Sequence, residues 1–268
     1  MRICILLQDQ SRVNKMKFRT KTRELHKDER GYKRWVELKR VIEIDPENLA
    51  ILICDMWDKH WSRSATERVD AMAMKLNKVM ISARHKGIQI IHAPSETLDF
   101  YSGTKARKRI ENMPLVTPID KKEVNIPPLP IDDSDGGSET NWDEFEQVNS
   151  IVWTRQHEAI KIDHDRDIIS DLGIEIFSFL KKKNIQYMII AGVHTNMCIL
   201  NRSFGIIQML KWGIKVFLMR DMTDVIYNPA LPPYVNLEDA TKLMVAYIEK
   251  FLCPSIHSSD LDSSILNS

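Results

Sequence analysis

The sequence predicts an α/β protein in which helices cover both faces of a mostly parallel sheet of about six strands, giving three α/β/α layers. Short apolar segments alternate with longer segments of helical periodicity. Several of the apolar segments are continuous, as in strands that are buried on both faces of a parallel sheet. In such sheets, functional side chains lie just beyond the carboxyl ends of the strands.

The alternation of strands and helices runs from Asn48 to Pro254. The predicted strands cover residues 49–54, 88–93, 151–154, 187–192 and 214–219. The predicted helices cover 66–86 (with an N-cap at Ser64 or Thr66), 173–183, 196–212 and 236–251. Because each helix separates two strands, we expect right-handed crossovers with helices on both faces of the sheet.

The predicted α/β domain spans residues 46–255. Residues 1–45 form an N-terminal extension, rich in Lys, Arg and Glu over 8–40, which we expect to wrap the domain or stay mobile. Residues 95–149 are rich in proline and break the alternation, which predicts an irregular insertion of the kind that often covers a binding site. The polar, Ser-rich tail 256–268 is expected to be disordered.

Composition and charge give no indication of a nucleic acid, an acidic partner or a membrane surface as the binding partner. The 268 residues carry a net charge of +1, and no apolar run is long enough to span a bilayer. The apolar run at the start is too short for a secretory signal. The cysteines are far apart and lack the spacing of zinc sites or disulfide scaffolds, so we expect reduced thiols and a cytoplasmic location: Cys4, Cys54, Cys198 and Cys253.

Cys198 follows a strand end and a tight turn, in the segment Gly-Val-His-Thr-Asn-Met-Cys that begins at Gly192. A thiol in the first turn of a helix lies near the positive end of the helix dipole and near free N–H groups. Both features favour a thiolate, and the same N–H groups could hold an oxyanion. The alternative is a buried structural cysteine.

Asp55 directly follows the apolar run 49–54, so its carboxylate is predicted to emerge at the carboxyl edge of the sheet. A buried acid needs a partner, or its pKa rises. Such a carboxylate is suited to accepting a thiol proton. The alternative is an aspartate that caps the following loop or helix.

Together, these two segments resemble the isochorismatase-like hydrolase superfamily. Residues 51–58 (Ile-Leu-Ile-Cys-Asp-Met-Trp-Asp) resemble its first motif, and 192–198 resemble its nucleophile motif, Gly-Val-x-Thr-x-x-Cys. The superfamily includes nicotinamidases, isochorismatases and carbamoylsarcosine amidases, and the resemblance covers about residues 48–254. It implies a Rossmann-like α/β/α fold, no cofactor and a homo-oligomer.

The resemblance also implies a mechanism. Asp55 would take the proton of Cys198, and the thiolate would attack a carbonyl group, usually of an amide. Backbone N–H groups near Thr195 and Cys198 would hold the oxyanion, helped by a cis peptide between Val193 and His194. Water would then hydrolyse the thioester with Asp55 acting again as acid and base.

The third catalytic group of the superfamily is a lysine at the end of a middle strand. By strand register that place falls on Arg155, whereas the nearest residue of the right type is Lys161. An arginine could stabilise charge there but could not transfer protons. Both residues stay candidates at this stage.

Further polar and aromatic residues at the strand ends are predicted to line a substrate pocket. The candidates are Trp57, Asp58, His60, Trp61, Gln156, His157, His194 and Asn196. Arginine and histidine on the same rim would suit a substrate with an anionic group. For the two tryptophans, the alternative is packing under the insertion.

No metal site is predicted. The Asp-x-His motif of zinc-dependent nicotinamidases is missing at His92, where the sequence reads His-Ala-Pro. The acidic residues Asp132, Asp133 and Asp135 lack the spacing of a calcium loop. The leading hypothesis is therefore a metal-independent hydrolase that cleaves the C–N bond of a small amide. Two alternatives are a vinyl-ether hydrolase, which needs no nucleophilic cysteine, and a catalytically silent binding or scaffold protein.

Overall fold

A computed structural model describes residues 15–137 and 151–262. Its strands are β1 (Met16–Lys27), β2 (Lys33–Ile44), β3 (Leu49–Cys54), β4 (Gln89–Ala93), β5 (Ile168–Ile169), β6 (Tyr187–Val193), β7 (Lys215–Asp224) and β8 (Ser255–Ile256). Its α-helices are α1 (Arg63–His85), α2 (Lys105–Glu111), α3 (Gly173–Lys182), α4 (Cys198–Asn201), α5 (Ile206–Lys211) and α6 (Leu237–Phe251).

The strands form one eight-stranded sheet in the order β2-β1-β8-β7-β6-β3-β4-β5. Strands β8 to β5 in this order are parallel, and only β1 makes antiparallel pairs, with β2 and with β8. The mostly parallel α/β sheet is confirmed. It has more strands than predicted because the N-terminal and C-terminal segments both join it.

The central strand β3 shows why the sheet has helices on both faces. All six of its residues are buried. Leu52 and Cys54 point into one cluster with residues of α3, α5 and α6, whereas Ile51 and Ile53 point into another with residues of α1. Alternating side chains of a strand face opposite sides of the sheet, so a continuous apolar run is the pattern that two covered faces require.

The N-terminal extension is a β-hairpin over the part that the structure describes. β1 and β2 pair along their whole length, from Met16 with Ile44 to Lys27 with Lys33. The expectation of a wrapping or mobile segment is therefore wrong for residues 16–44. Most side chains of the hairpin are exposed or half-buried, so the strands carry Lys, Arg and Glu where a buried strand would show apolar periodicity.

The expected disordered tail also begins with ordered structure. β8 inserts between β7 and β1, and Ile256 and Leu261 are buried. Asp260 accepts hydrogen bonds from the backbone N–H (2.8 Å) and the Nε (2.7 Å) of Arg19 in β1. The polar composition of this segment reflects side chains that bind the hairpin, and residues 263–268 lie outside the described part.

The strand predicted at 151–154 is wrong. These residues have no regular structure, and Asp58 holds them by accepting from the backbone N–H (2.9 Å) and the hydroxyl (2.6 Å) of Thr154. A single antiparallel bridge joins Trp57 to Gln156. The strand that pairs with β4 is instead the two-residue β5, which is too short for periodicity to reveal.

Two predicted helices differ from the observed ones at their ends. Helix α1 begins after Ser62, whose side chain accepts from the N–H of Ala65 at 3.3 Å, and not after Ser64 or Thr66. The helix predicted at 196–212 is two short helices, α4 and α5, separated around Gly205. This break ends α4 one turn after Cys198.

The described part of the predicted insertion is partly regular. It contains a 3₁₀ turn at Leu98–Tyr101 and helix α2, while residues 112–137 follow an irregular path. Residues 138–150 lie outside the described part. In the part of the chain that the structure describes, no helix is long and apolar enough to cross a membrane.

Candidate active site

Neighbouring strands β3 and β6 bring Asp55 and Cys198 together at the carboxyl edge of the sheet. Asp55 directly follows Cys54, which pairs with Gly192 of β6. The two backbones approach closely there, because a Cβ built on Gly192 would lie 2.0 Å from the carbonyl oxygen of Cys54. Gly192 also has a φ of +112°, a conformation that side chains with a Cβ rarely adopt. A glycine at this position is therefore required for the site to form.

The Asp55 carboxylate is fully buried and its oxygens have separate partners. Oδ1 accepts from the backbone N–H of Ser95 at 2.8 Å, and Oδ2 accepts from Nε of Arg202 at 3.1 Å. The charge of this carboxylate also acts on the nearby thiol of Cys198. The site therefore places a thiol close to a carboxylate that a guanidinium contacts.

Arg202 is the cation of the site, and the sequence analysis missed it. It lies one helical turn after Cys198, and its backbone N–H donates to the carbonyl of Cys198 at 3.1 Å. Its guanidinium contacts both Asp55 (3.1 Å) and Glu96 (3.6 Å). A spacing of four residues places side chains on one side of a helical turn, and this spacing is the signal that could have identified Arg202.

Both cations proposed from the sequence contact other groups. Arg155 lies 5.5 Å from the centre of the Phe100 ring and 3.9 Å from Glu158. The Nζ of Lys161 donates to the carbonyl of Glu158, and its backbone N–H donates to Asn77 of helix α1. The charge beside Asp55 is thus supplied by the turn that carries Cys198, because the segment 151–154 does not form the strand that the register argument required.

The electrostatics favour one shared proton between Asp55 and Cys198. Burial raises the pKa of Asp55 above the usual aspartate range, although Arg202 and the hydrogen bond from the backbone N–H of Ser95 oppose this. Burial raises the pKa of the Cys198 thiol well above its usual value, and the Asp55 charge raises it further. A resting thiolate, expected from the helix dipole, is therefore not favoured. A single negative charge on the pair faces Arg202, whose own pKa is raised by Asp55 despite opposing desolvation.

The turn before Cys198 is held by hydrogen bonds. The peptide bond between Val193 and His194 is cis. The N–H of Thr195 donates to the carbonyl of Asp224 at 2.7 Å, and its hydroxyl contacts Thr223 at 2.7 Å. Thr195 therefore fixes the turn, and its N–H is not free to hold an oxyanion. The N–H of Cys198 has no acceptor among the described residues.

Other described thiols are buried. Cys54 donates to the carbonyl of Val193 at 3.4 Å, and burial raises its pKa well above the usual value. Burial also raises the pKa of Cys253 to about 12. Cys198 is half-buried, whereas Cys54 and Cys253 are buried, so it is the most accessible of these three residues.

An aromatic cluster adjoins the site. Trp57 stacks on Trp153 with ring centres 4.1 Å apart, and His60 lies 4.9 Å from Trp61 and 5.1 Å from His194. Trp57 and Trp61 are buried, and the indole N–H of Trp57 donates to the carbonyl of Ser95. The two indoles are thus packed in the protein interior, and Trp57 contacts the first residue of the predicted insertion.

The two histidines of this cluster are neutral at neutral pH. Burial lowers the pKa of His60 to about 4, with a smaller contribution from Arg68. Burial also lowers the pKa of His194 well below its usual value. Nε2 of His194 and Nε1 of Trp153 are buried without a hydrogen-bond partner among the described residues. Buried polar atoms are normally paired, so these two are candidates to contact a bound molecule.

Four predicted pocket residues serve the fold instead. Asp58 holds Thr154, as described above, and His157 contacts Asp70 of helix α1 at 2.6 Å. The Gln156 side chain lies between His92 (2.8 Å) and the carbonyl of Ile160 (3.1 Å). The fourth residue is Asn196, which is buried.

Asn196 joins the turn before Cys198 to the insertion through hydrogen bonds. Its side-chain nitrogen donates to Asp133 and to the carbonyl of Ile226, both at 2.9 Å, and its oxygen accepts from the N–H of Ile226 at 3.1 Å. All polar atoms of the side chain are therefore occupied by protein partners. Asp133 belongs to the acidic segment that lacks calcium-loop spacing, so this acid has a structural partner.

The sequence and the fold were compared with known proteins. The sequence matches no protein-family model and no curated protein. A cysteine hydrolase from Pseudomonas syringae pv. phaseolicola has a similar structure, with a TM-score of 0.51 and 13% identity, over 82% of this chain and 95% of that one. An isochorismatase family protein from Burkholderia thailandensis gives a TM-score of 0.45 and 12% identity, over 82% and 96%. The chain has the isochorismatase-like α/β fold.

Proposed function

We propose that the protein is a hydrolase that uses Cys198 as a nucleophile to cleave the C–N bond of a small amide through a thioester. The observation that carries this proposal is the placement of the Cys198 thiol near the buried Asp55 carboxylate, which the Arg202 guanidinium contacts at 3.1 Å. A nucleophile beside a base that a third group orients is the arrangement that covalent catalysis needs. Its place at the carboxyl edge of the sheet is the usual place for such sites.

Acylation would move the shared proton. Sγ of Cys198 attacks the substrate carbonyl carbon as the thiol proton passes to Asp55. The negative charge then lies on the substrate oxygen, to which the N–H of Cys198 would donate a hydrogen bond. When the C–N bond breaks, protonated Asp55 returns the proton to the leaving nitrogen. Arg202 keeps the net charge of the buried site balanced throughout.

Deacylation would use the same groups. Asp55 takes a proton from water as the water oxygen attacks the thioester carbonyl. The C–S bond then breaks, the carboxylic acid leaves, and the proton returns to the pair of Cys198 and Asp55. The raised pKa of Asp55 suits both steps, because a general acid and base works best when its pKa lies near the working pH.

The substrate contacts are proposed from the unpaired atoms near the turn. Nε2 of His194 and Nε1 of Trp153 lack partners among the described residues, and both rings belong to the aromatic cluster. A flat, uncharged amide would find an indole N–H donor and an aromatic surface there. Arg202 is committed to Asp55 and Glu96, so it supplies no free charge for an anionic substrate.

The proton transfer can be tested with Asp55→Asn. We expect amide hydrolysis to fall about 10²- to 10⁴-fold, the usual contribution of a general base. The rate of Cys198 alkylation by iodoacetamide, followed by mass spectrometry, should change its pH dependence. In the wild type the rate should fall on acidification at a pH above the usual aspartate range, because the pKa of Asp55 is raised. In the variant only the ionisation of the thiol should remain.

Asp58→Asn is the matched control, because Asp58 follows the same strand but binds Thr154 and not Cys198. Its alkylation profile should match that of the wild type. An unchanged profile in Asp55→Asn would mean that Asp55 does not share the thiol proton. Slow and equal labelling of all thiols in the wild type would favour a binding or scaffold role.

Replacing Arg202 should show how strongly its charge supports the carboxylate. In Arg202→Met we expect the acidic fall in Cys198 alkylation to move to higher pH, because Arg202 lowers the pKa of Asp55. Arg202→Lys should keep most of the wild-type profile. Urea unfolding should show a loss of about 1–3 kcal/mol for Met, since the buried carboxylate loses a hydrogen-bond donor. A shift to lower pH would contradict this assignment.

A further inference from the structure

One edge of the sheet is a long strand whose outer side pairs with no other strand of the described residues. Strand β2 is the last strand in the sheet order, and its only neighbour there is β1. It is twelve residues long, and such an edge presents unpaired N–H and C=O groups that can pair with another strand. Trp35 (38% exposed) and Val41 (63% exposed) lie along it.

Pairing of this edge with a second copy of itself is restricted by symmetry. A two-fold axis normal to the sheet pairs the two β2 strands antiparallel and keeps each face of the sheet on the same side. Residues that lie opposite each other then point to the same face, because side chains alternate along a strand. Each register is therefore defined by the one residue that meets its own counterpart on the axis.

With Leu38 on the axis, the opposing side chains are complementary. Lys33 lies opposite Glu43, Trp35 opposite Val41, and Glu37 opposite Lys39, all on one face. The first and last of these pairs join opposite charges, and the middle pair joins an aromatic ring to a β-branched side chain. Each is a favourable type of cross-strand pair.

The neighbouring registers are unfavourable. A centre at Glu37 places two carboxylates opposite each other on the axis, and a centre at Lys39 or Arg40 places two cations there. Like charges directly opposite each other are destabilising. The sequence of β2 therefore selects the Leu38 register over the other registers that pair most of the strand.

The hairpin itself presents charges that this register would complement. Within one chain, Lys39 lies opposite Lys21, and Lys33 lies opposite Lys27. Glu37 contacts Lys21 at 2.9 Å, Arg23 at 3.4 Å and Lys39 at 3.5 Å, so one carboxylate serves three cations. A second copy would place its Glu37 beside Lys39 and its Glu43 beside Lys33. Each of the two like-charged lysine pairs would then gain an acid.

We propose that two copies of this chain associate through antiparallel pairing of their β2 strands with Leu38 on the two-fold axis. The association joins two eight-stranded sheets into one continuous sheet. It is independent of the proposed catalytic activity. Asp55 and Cys198 follow β3 and β6, and three strands separate β2 from β6 in the sheet.

The charge pairing is tested by the molar mass of the full chain, measured by light scattering after gel filtration at several protein concentrations. The wild type should be a dimer. Glu37→Lys and Lys39→Glu should each be monomeric, because each places like charges opposite each other across the axis. The double variant should recover the dimer, because the charges of the pair are exchanged. Circular dichroism would show that each variant is folded.

The register is tested by oxidation. Leu38→Cys should form a disulfide-linked dimer on a non-reducing gel, because each introduced thiol meets its own counterpart. Arg40→Cys is the matched control on the same face of the strand; it lies opposite Val36 and should not cross-link. The wild type serves as the blank for the native cysteines.

A wild type that is monomeric at all concentrations would overturn the proposal. So would a dimer that survives both single charge reversals, which would place the interface elsewhere. Cross-linking of Arg40→Cys without cross-linking of Leu38→Cys would show strand pairing in a different register and would overturn the Leu38 assignment.

Discussion

Replacing Cys198 with alanine is expected to abolish amide hydrolysis while leaving the fold intact. The thiol is the reacting atom of the proposed mechanism, and loss of a nucleophile in a covalent enzyme costs roughly 10⁶-fold in turnover. The side chain is half-buried and small, so the loss of stability should be minor. Ammonia release from a panel of primary amides, nicotinamide among them, measures the turnover, and urea unfolding measures the stability.

Cys253→Ala is the matched control, because this thiol is buried in the hydrophobic core and follows the last helix, α6. It should lose some stability and keep its turnover. Undiminished hydrolysis in Cys198→Ala would exclude a thioester route. Vinyl-ether hydrolysis, which needs no nucleophilic cysteine, would then be the reaction to test.

Gly192→Ala is expected to prevent folding or to destabilise the protein by more than about 4 kcal/mol. The added Cβ would lie 2.0 Å from the carbonyl oxygen of Cys54, and neither backbone can move without separating the two central strands. The φ of +112° adds strain of its own. Soluble yield and urea unfolding would measure the effect.

Gly87→Ala separates the steric effect from the backbone strain. Gly87 also has a positive φ, +83°, but a Cβ there would meet nothing within 4 Å. We expect a loss of about 1 kcal/mol, the cost of a non-glycine residue in that conformation. Equal losses in the two variants would show that the close approach of the central strands is not what makes Gly192 necessary.

The local pattern of residues was sufficient to predict a strand where that strand is completely buried. The apolar run of β3 is buried on both faces, so periodicity alone indicates a central strand. The same argument fails for β1 and β2, where exposed faces carry charged side chains. Strands β5 and β8 have two residues each, which is too short for any pattern, and only their partners in the sheet define them.

The candidate site divides in the same way. The sequence determined that Asp55 and Cys198 follow strands, and therefore that both lie at one edge of a parallel sheet. Which cation joins them was decided by tertiary structure, because the break after α4 turns Arg202 towards Asp55, while Arg155 and Lys161 contact Glu158. Burial also decided the charge state of the thiol, since desolvation outweighs the helix terminus. Desolvation and contact depend on what surrounds a residue in space, and no local pattern of residues contains that information.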